Sequence, residues 1–330
     1  MLVGINGFLD ETTLEPFKEA GFSLYREGIS WPDVQKEDGS WDWSASDRIA
    51  DLCAKAGAQW IPIVFWPLGD SWPLTKYPEL KSNMGYLAEI QDWIAFLQGL
   101  VTRYEDIVYI WEIGQSPSCG YSGWREPDHS LAGYVRFLHH CMNAIYNINV
   151  DCRVMPGSGD PEVPIAYYAD LFSNGLFRQD IGALGFQFYY NNEFNSSRLW
   201  DSLHMGVNEL HRMIADKVLG NNVPLLITES GWPVDDLAAS PSEQIKYSSL
   251  NYTGGVIPVD PMTQCHRIER ILYHANILGI EAILLHTMRD NIRPDGSHMN
   301  IWGDHCGLLD SNLKPRDAYH AAKDWISRNS

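Results

Sequence analysis

Positive charge is in short supply in this chain: 24 Lys and Arg stand against 42 Asp and Glu, a formal net charge of −18. That balance repels nucleic acid and anionic membrane surfaces and suits a neutral or cationic substrate. Long apolar runs are missing too, since none approaches the ~20 residues of a membrane-spanning helix. Cysteine is sparse, with 6 residues at 53, 119, 141, 152, 265 and 306 and no C-x-x-C. This scatter argues against a zinc site or a disulfide scaffold. Buried free thiols are the expected state, although Cys119 and Cys306 both fall in long loops and could meet. There is no H-E-x-x-H, and the adjacent His139 and His140 point apart on a helix. Gly157-Ser158-Gly159 lacks the Lys-Ser/Thr of a phosphate loop, and no G-x-G-x-x-G opens a helix. No metal and no cofactor are therefore expected. Ser230, in E-S-G, is not in a G-x-S-x-G elbow, and the sequons at Asn195 and Asn251 are at chance level. The chain opens on L-V-G-I-N-G-F, a strand rather than a signal peptide, so a cytoplasmic protein and a secreted one shorn of its leader both fit. Oligomeric state is left open.

What is present is a long, apolar and regularly punctuated chain. Its 330 residues are 45% hydrophobic, enough for a large core. Strand-like runs begin near Leu2, Phe22, Gln59, Ile107, Cys152, Ile181, Val223 and Ile280. Amphipathic segments lie between them. Leu87, Ile90, Ile94, Leu97 and Val101 form one stripe at helical spacing, and Trp200, Leu203, Val207, Leu210 and Ile214 another. Cys265, Ile268, Leu272, Ala275 and Leu278 repeat the pattern before the last strand, and residues 319–326 close the chain as a helix. Strand and helix alternating in this way predict an α/β fold, a single (β/α)8 TIM barrel over residues 1–330 with long loops after several strands. No linker or composition shift marks a second domain.

Chemistry in such a barrel gathers at the C-terminal ends of its strands. The most telling end is V-P-L-L-I-T-E-S-G-W-P, residues 223–233, where an apolar strand stops at Glu229 with Trp232 beside it. A buried carboxylate needs partners, so a Glu at a strand mouth reads as a site residue held by donors. Other strand ends supply Arg26, Trp66 with Asp70 beyond it, Gln115 and Ser116, Gln187 and Tyr189, and His286. Loops add Trp124 and Trp302. Aromatic faces, carboxylates and amides around one mouth describe a carbohydrate site, the rings stacking on pyranose C–H faces while polar groups bind hydroxyls. Trp66, Trp124, Trp232 and Trp302 are expected to border one pocket.

These residues carry a family resemblance over the whole chain. Y-R-E-G-I-S-W-P-D-V, D-G-S-W-D-W-S-A-S-D-R-I, G-F-Q-F-Y-Y, I-T-E-S-G-W-P and G-L-L-D-S-N-L-K-P-R-D-A-Y-H-A resemble, in order, segments of the clan A glycoside hydrolases, (β/α)8 retaining β-glycosidases. The resemblance implies double displacement, in which one carboxylate attacks the anomeric carbon while another, ~5 Å away, protonates the leaving oxygen. Glu229 matches the nucleophile, Arg26 the arginine that keeps it ionised, Tyr189 the tyrosine that hydrogen-bonds it, and Gln187 a position where relatives often carry His. On strand four the chain departs from the pattern. Relatives read W-E-I-G-N-E-P, the second Glu being the acid/base; this chain reads W-E-I-G-Q-S-P, with Gln115 and Ser116 in place of Asn and Glu. Neither side chain supplies a proton near neutral pH. Glu112, deeper in the strand, is expected to pair with a base such as Arg26. Four arrangements fit: a deliberately inactivated form, an acid from a loop (Asp70, Glu126, Asp128 or Glu193), a leaving group needing no acid, as in plant thioglucosidases, or a pseudoenzyme that binds sugar without cleaving it.

Overall fold

A computed structural model of the chain describes residues 1–67, 71–117, 124, 131–159, 165–176, 181–189, 196–217, 223–234, 259–291 and 305–329. Eight strands build one sheet: β1 (Leu2–Asn6), β2 (Leu24–Ser30), β3 (Gln59–Phe65), β4 (Trp111–Ile113), β5 (Val154–Pro156), β6 (Leu184–Gln187), β7 (Leu225–Ser230) and β8 (Ala282–Leu285). Their order is β5-β4-β3-β2-β1-β8-β7-β6, and each neighbouring pair in that order runs parallel. The two end strands also meet. Gly182 N–H donates to the Val154 carbonyl at 2.6 Å, Gly159 N–H to Gly185 at 3.1 Å, and Gln187 N–H to Gly159 at 3.3 Å. The sheet is thus a nearly closed (β/α)8 barrel, as the alternation of runs predicts. The fourth strand is shorter than the sequence suggests: regular pairing starts at Trp111, and Val108 makes only an isolated bridge to Trp60.

Inside the barrel, side chains stack in layers because every second residue of a strand points inward. The apolar interior below the mouth holds Leu24, Ile61, Ile110, Met155, Ala183, Leu226, Ala282 and Leu284, the last two at successive levels of β8. At the level of Leu24 and Leu284, β1 contributes Gly4, in register with both; a Cβ there would lie 2.3 Å from the Leu24 carbonyl oxygen. Two residues further along, four of these strands place polar groups: Asn6 after Gly4, Arg26 after Leu24, Glu112 after Ile110 and His286 after Leu284. On β7 the two-residue phase breaks. Its register shifts against β6 between Phe186 and Gln187 and against β8 between Ile227 and Ser230. A bulge re-aims side chains, and here consecutive Thr228 and Glu229 are both buried.

Helices pack outside. The stripe from Trp200 to Ile214 lies on the helix Ser196–Lys217, all five residues buried. The stripe from Leu87 to Val101 is divided: Leu87 sits in a 3-10 turn, Met84–Glu89, and Ile90 is the N-cap of the helix Gln91–Tyr104. The helix Pro261–Ile277 begins where Asp260 accepts from the Thr263 N–H at 2.9 Å. Cys53 and Cys141 are buried free thiols, and Cys119 lies outside the described residues. No helix among the described residues is long and apolar enough to cross a membrane.

Candidate active site

The polar layer above the apolar one is a single network centred on Arg26, whose side chain is fully buried. Its Nε donates to Glu112 Oε2 at 2.6 Å and its Nη2 to Glu112 Oε1 at 2.9 Å, the two-pronged fit of a guanidinium on a carboxylate. The remaining nitrogen, Nη1, reaches Glu229 Oε1 at 2.6 Å and Asn6 Oδ1 at 2.8 Å. Burial alone would weaken the guanidinium as a cation, but Glu112 and Glu229 outweigh it and raise the pKa above its ordinary value. The fully buried Glu112 is completed by Ser158, whose Oγ donates at 2.6 Å and whose N–H donates at 3.0 Å, both to Oε1. Glu112 therefore belongs to Arg26, as its depth in the strand predicts.

Glu229 stands at the edge of this network, 8% exposed. Three donors surround its carboxylate. Arg26 and Gln115 Nε2 both reach Oε1, the latter at 3.0 Å, and the Tyr189 hydroxyl reaches Oε2 at 2.8 Å. Burial, followed by the nearby Glu229 charge, pushes the Tyr189 hydroxyl well above the usual tyrosine range, so it stays a donor at ordinary pH. Gln187 is paired with Glu229 across the bulge between β6 and β7.

The strand-four exit decides which of its two polar residues faces the carboxylate. Gly114 turns there with φ +73°, and a Cβ on it would come within 1.8 Å of the Trp66 ring. Gln115 then points to Glu229. Ser116, left-handed at φ 44°, turns the other way: its N–H and Oγ both donate to the Ser158 carbonyl, at 2.9 and 3.2 Å. Tyr134 braces this turn by donating to the Ile113 carbonyl at 2.7 Å and accepting from the Gly157 N–H at 2.7 Å.

Trp66 and Trp124 form an edge-to-face pair 4.9 Å apart, packed with Tyr134 and Phe137. Trp232 lies under the Arg267 guanidinium at 5.7 Å. Trp66 and Trp232 are fully buried, and Trp124 retains 8% exposure. His286 contacts Asn6 and stands edge-on to Tyr189. Asp70, Trp302 and the loop acids Glu126, Asp128 and Glu193 lie outside the described residues. Two members of the network, Asn6 and Ser158, escaped the sequence reading. The available signal was position: each is a polar residue at the end of an apolar strand. Among the described residues no cluster of three or more His, Cys, Asp or Glu is arranged to hold a metal ion.

Neither a protein-family model nor a curated protein sequence matches the chain. Solved structures do. A family 39 glycoside hydrolase from the gut symbiont Bacteroides cellulosilyticus aligns with TM-score 0.69 and 14% identity, over 98% of this chain and 63% of its own. A β-galactosidase from the Antarctic haloarchaeon Halorubrum lacusprofundi gives 0.68 and 14%, over 99% and 58%. Xylanase 10B from Thermotoga maritima gives 0.62 and 13%, over 99% and 95%. The chain thus spans less than two thirds of the first two. At these identities the likeness is one of fold: this barrel is built like those of glycoside hydrolases.

Proposed function

We propose that the chain is a retaining β-glycoside hydrolase acting on a β-linked carbohydrate by double displacement, with Glu229 as nucleophile. The observation that carries this reading is the occupancy of the Glu229 carboxylate at the barrel mouth. A carboxylate offers about two acceptor directions on each oxygen. Among the described residues, Arg26 and Gln115 take both on Oε1, whereas Tyr189 takes one on Oε2. Oε2 is therefore the atom left to attack an anomeric carbon, and the three donors hold the carboxylate while it does so.

Gln115 anchors this nucleophile. Its Nε2 donates to Oε1 at 3.0 Å, so the amide is spent on holding the carboxylate, and an amide has no acidic proton to give a leaving oxygen. Ser116 is turned into the Ser158 carbonyl. With no acid offered by β4, the aglycones cleaved fastest are those that leave as stable anions, and Asp70, Glu126, Asp128 and Glu193 are the loop carboxyls from which an acid would come. Of Trp66, Trp124 and Trp232, Trp124 is the one that retains surface to offer a sugar. The same β4 observation favours a second reading, a carbohydrate-binding barrel without turnover.

One experiment separates them. The chain is incubated with 2,4-dinitrophenyl 2-deoxy-2-fluoro-β-glycosides of xylose, glucose, galactose and mannose, which form the glycosyl-enzyme but slow its breakdown. A mass increase of one fluorosugar, mapped to Glu229 and absent from Glu229→Gln, is expected. Binding without any adduct would replace hydrolysis with the binding reading, and an adduct on another residue would remove Glu229.

A further inference from the structure

Arg26 and Tyr189, two of the groups that hold Glu229, both lean on His286. The first connection runs through Asn6, and its polarity can be read from chemistry alone. A guanidinium only donates, so the 2.8 Å contact from Arg26 Nη1 fixes the Asn6 carbonyl oxygen on that side. The Asn6 amide nitrogen must then face His286 Nδ1, 3.0 Å away, and an amide nitrogen also only donates. Nδ1 therefore accepts. It carries a lone pair, and the ring proton belongs on Nε2. The second connection is packing: the His286 and Tyr189 rings meet edge to face, centroids 6.0 Å apart and planes at 89°. Half-buried His286 thus touches Tyr189, which holds Oε2, and Asn6, the partner of the Arg26 nitrogen that holds Oε1.

We propose that His286 is a positioning residue of the Glu229 site, held as the neutral Nε2–H tautomer by Asn6, and that it orients Arg26 and Tyr189 instead of contacting the sugar. The positioning role rests on the reading of Glu229 as nucleophile; the tautomer does not. A proton on Nδ1 would set one N–H against another and break the link to Asn6, so the state of the ring and the aim of Arg26 are tied together.

The test uses the full chain labelled with 15N-histidine, the His286 signals among 11 histidines being assigned by their loss in His286→Gln. At neutral pH an unprotonated Nδ1 and a protonated Nε2 are expected. In Asn6→Asp, one carboxylate oxygen accepts from Arg26 and the other faces His286, demanding an N–H, so the unprotonated Nδ1 signature should vanish. Asn6→Ala, which imposes neither polarity, should give mixed tautomers. A protonated Nδ1 in the unmodified chain, or a ring unchanged in Asn6→Asp, overturns the proposal. On dinitrophenyl glycosides, His286→Gln should lower kcat by ~10-fold with KM nearly unchanged. A raised KM with intact kcat would mean that the ring contacts sugar and would equally overturn it. Failure of the nucleophile reading looks different: no Glu229 adduct forms, while the tautomer pattern stands.

Discussion

Gln115 reaches Glu229 as a neutral donor. A glutamate there would bring a second carboxyl to the same distance, and two carboxylates so close hold one proton between them. Gln115→Glu is therefore expected to slow cleavage of dinitrophenyl glycosides near neutral pH, by at least ~10-fold, and to move the acid limb of the pH–rate profile upward. A gain in rate instead would mean that position 115 takes the acid's place and that the 3.0 Å contact does not persist with substrate bound. At this scale the sequence was informative wherever a charge ended an apolar strand. Arg26, Glu112 and Glu229 stand out because a buried charge needs a reason. Asn6 and Ser158 do not. An uncharged Asn or a Ser flanked by glycines reads as the start of a loop, and only the barrel register shows that each completes the shell of a buried ion.

The turn leaving β4 shows how an element sets a side chain's aim. Gly114 combines a positive φ with an approach to Trp66 that no Cβ can share. Gly114→Ala should strain the backbone and push the Trp66 ring from its packing with Trp124 and Tyr134, destabilising the fold by roughly 2–4 kcal/mol. A urea titration measures this, and an unchanged midpoint would show that the turn relaxes freely. Cleavage of activated glycosides should fall further than the lost stability explains, because Gln115 is carried by the same turn. The eight strands were readable because buried parallel strands are short continuous apolar runs. The paired part of β4 was not readable to the residue, since Ile107 to Ile110 are apolar without being regularly paired. The break at Ile90 was hidden for a related reason: a 3-10 turn followed by a helix keeps apolar residues near the same spacing.

For the whole molecule, five buried tyrosines make a prediction about alkali. Burial raises the hydroxyl pKa of Tyr25, Tyr134, Tyr167, Tyr168 and Tyr189 far above the ordinary value. A group whose folded value is raised contributes fully below its unfolded value, ~10 for tyrosine, and its contribution is lost as pH climbs past that point. Each tyrosine then steepens the loss towards ~1.4 kcal/mol per pH unit. The urea midpoint should hold between about pH 8 and about pH 9.5 and drop sharply by about pH 11; a midpoint still flat there would contradict it. The barrel itself was legible because one alternating pattern spans the chain, whereas the walls of its mouth were not, since loop residues obey no period. The seam of that barrel has a mechanical consequence. Seven register pairs join β2 to β3, but among the described residues β5 and β6 share only the few bonds around Gly159 and Gly182. If the closed sheet breathes, it parts there, and β4 swings away from β7. The Gln115–Glu229 and Arg26–Glu229 bonds, reaching β7 from β4 and β2, cross that gap like laces across a tongue. Amide protons of Gly159, Gly182 and Gln187 should then exchange with deuterium sooner than those of β2 and β3, and sooner still in Glu229→Ala, where the lacing is cut. Equal exchange around the ring would mean that the barrel opens nowhere in particular.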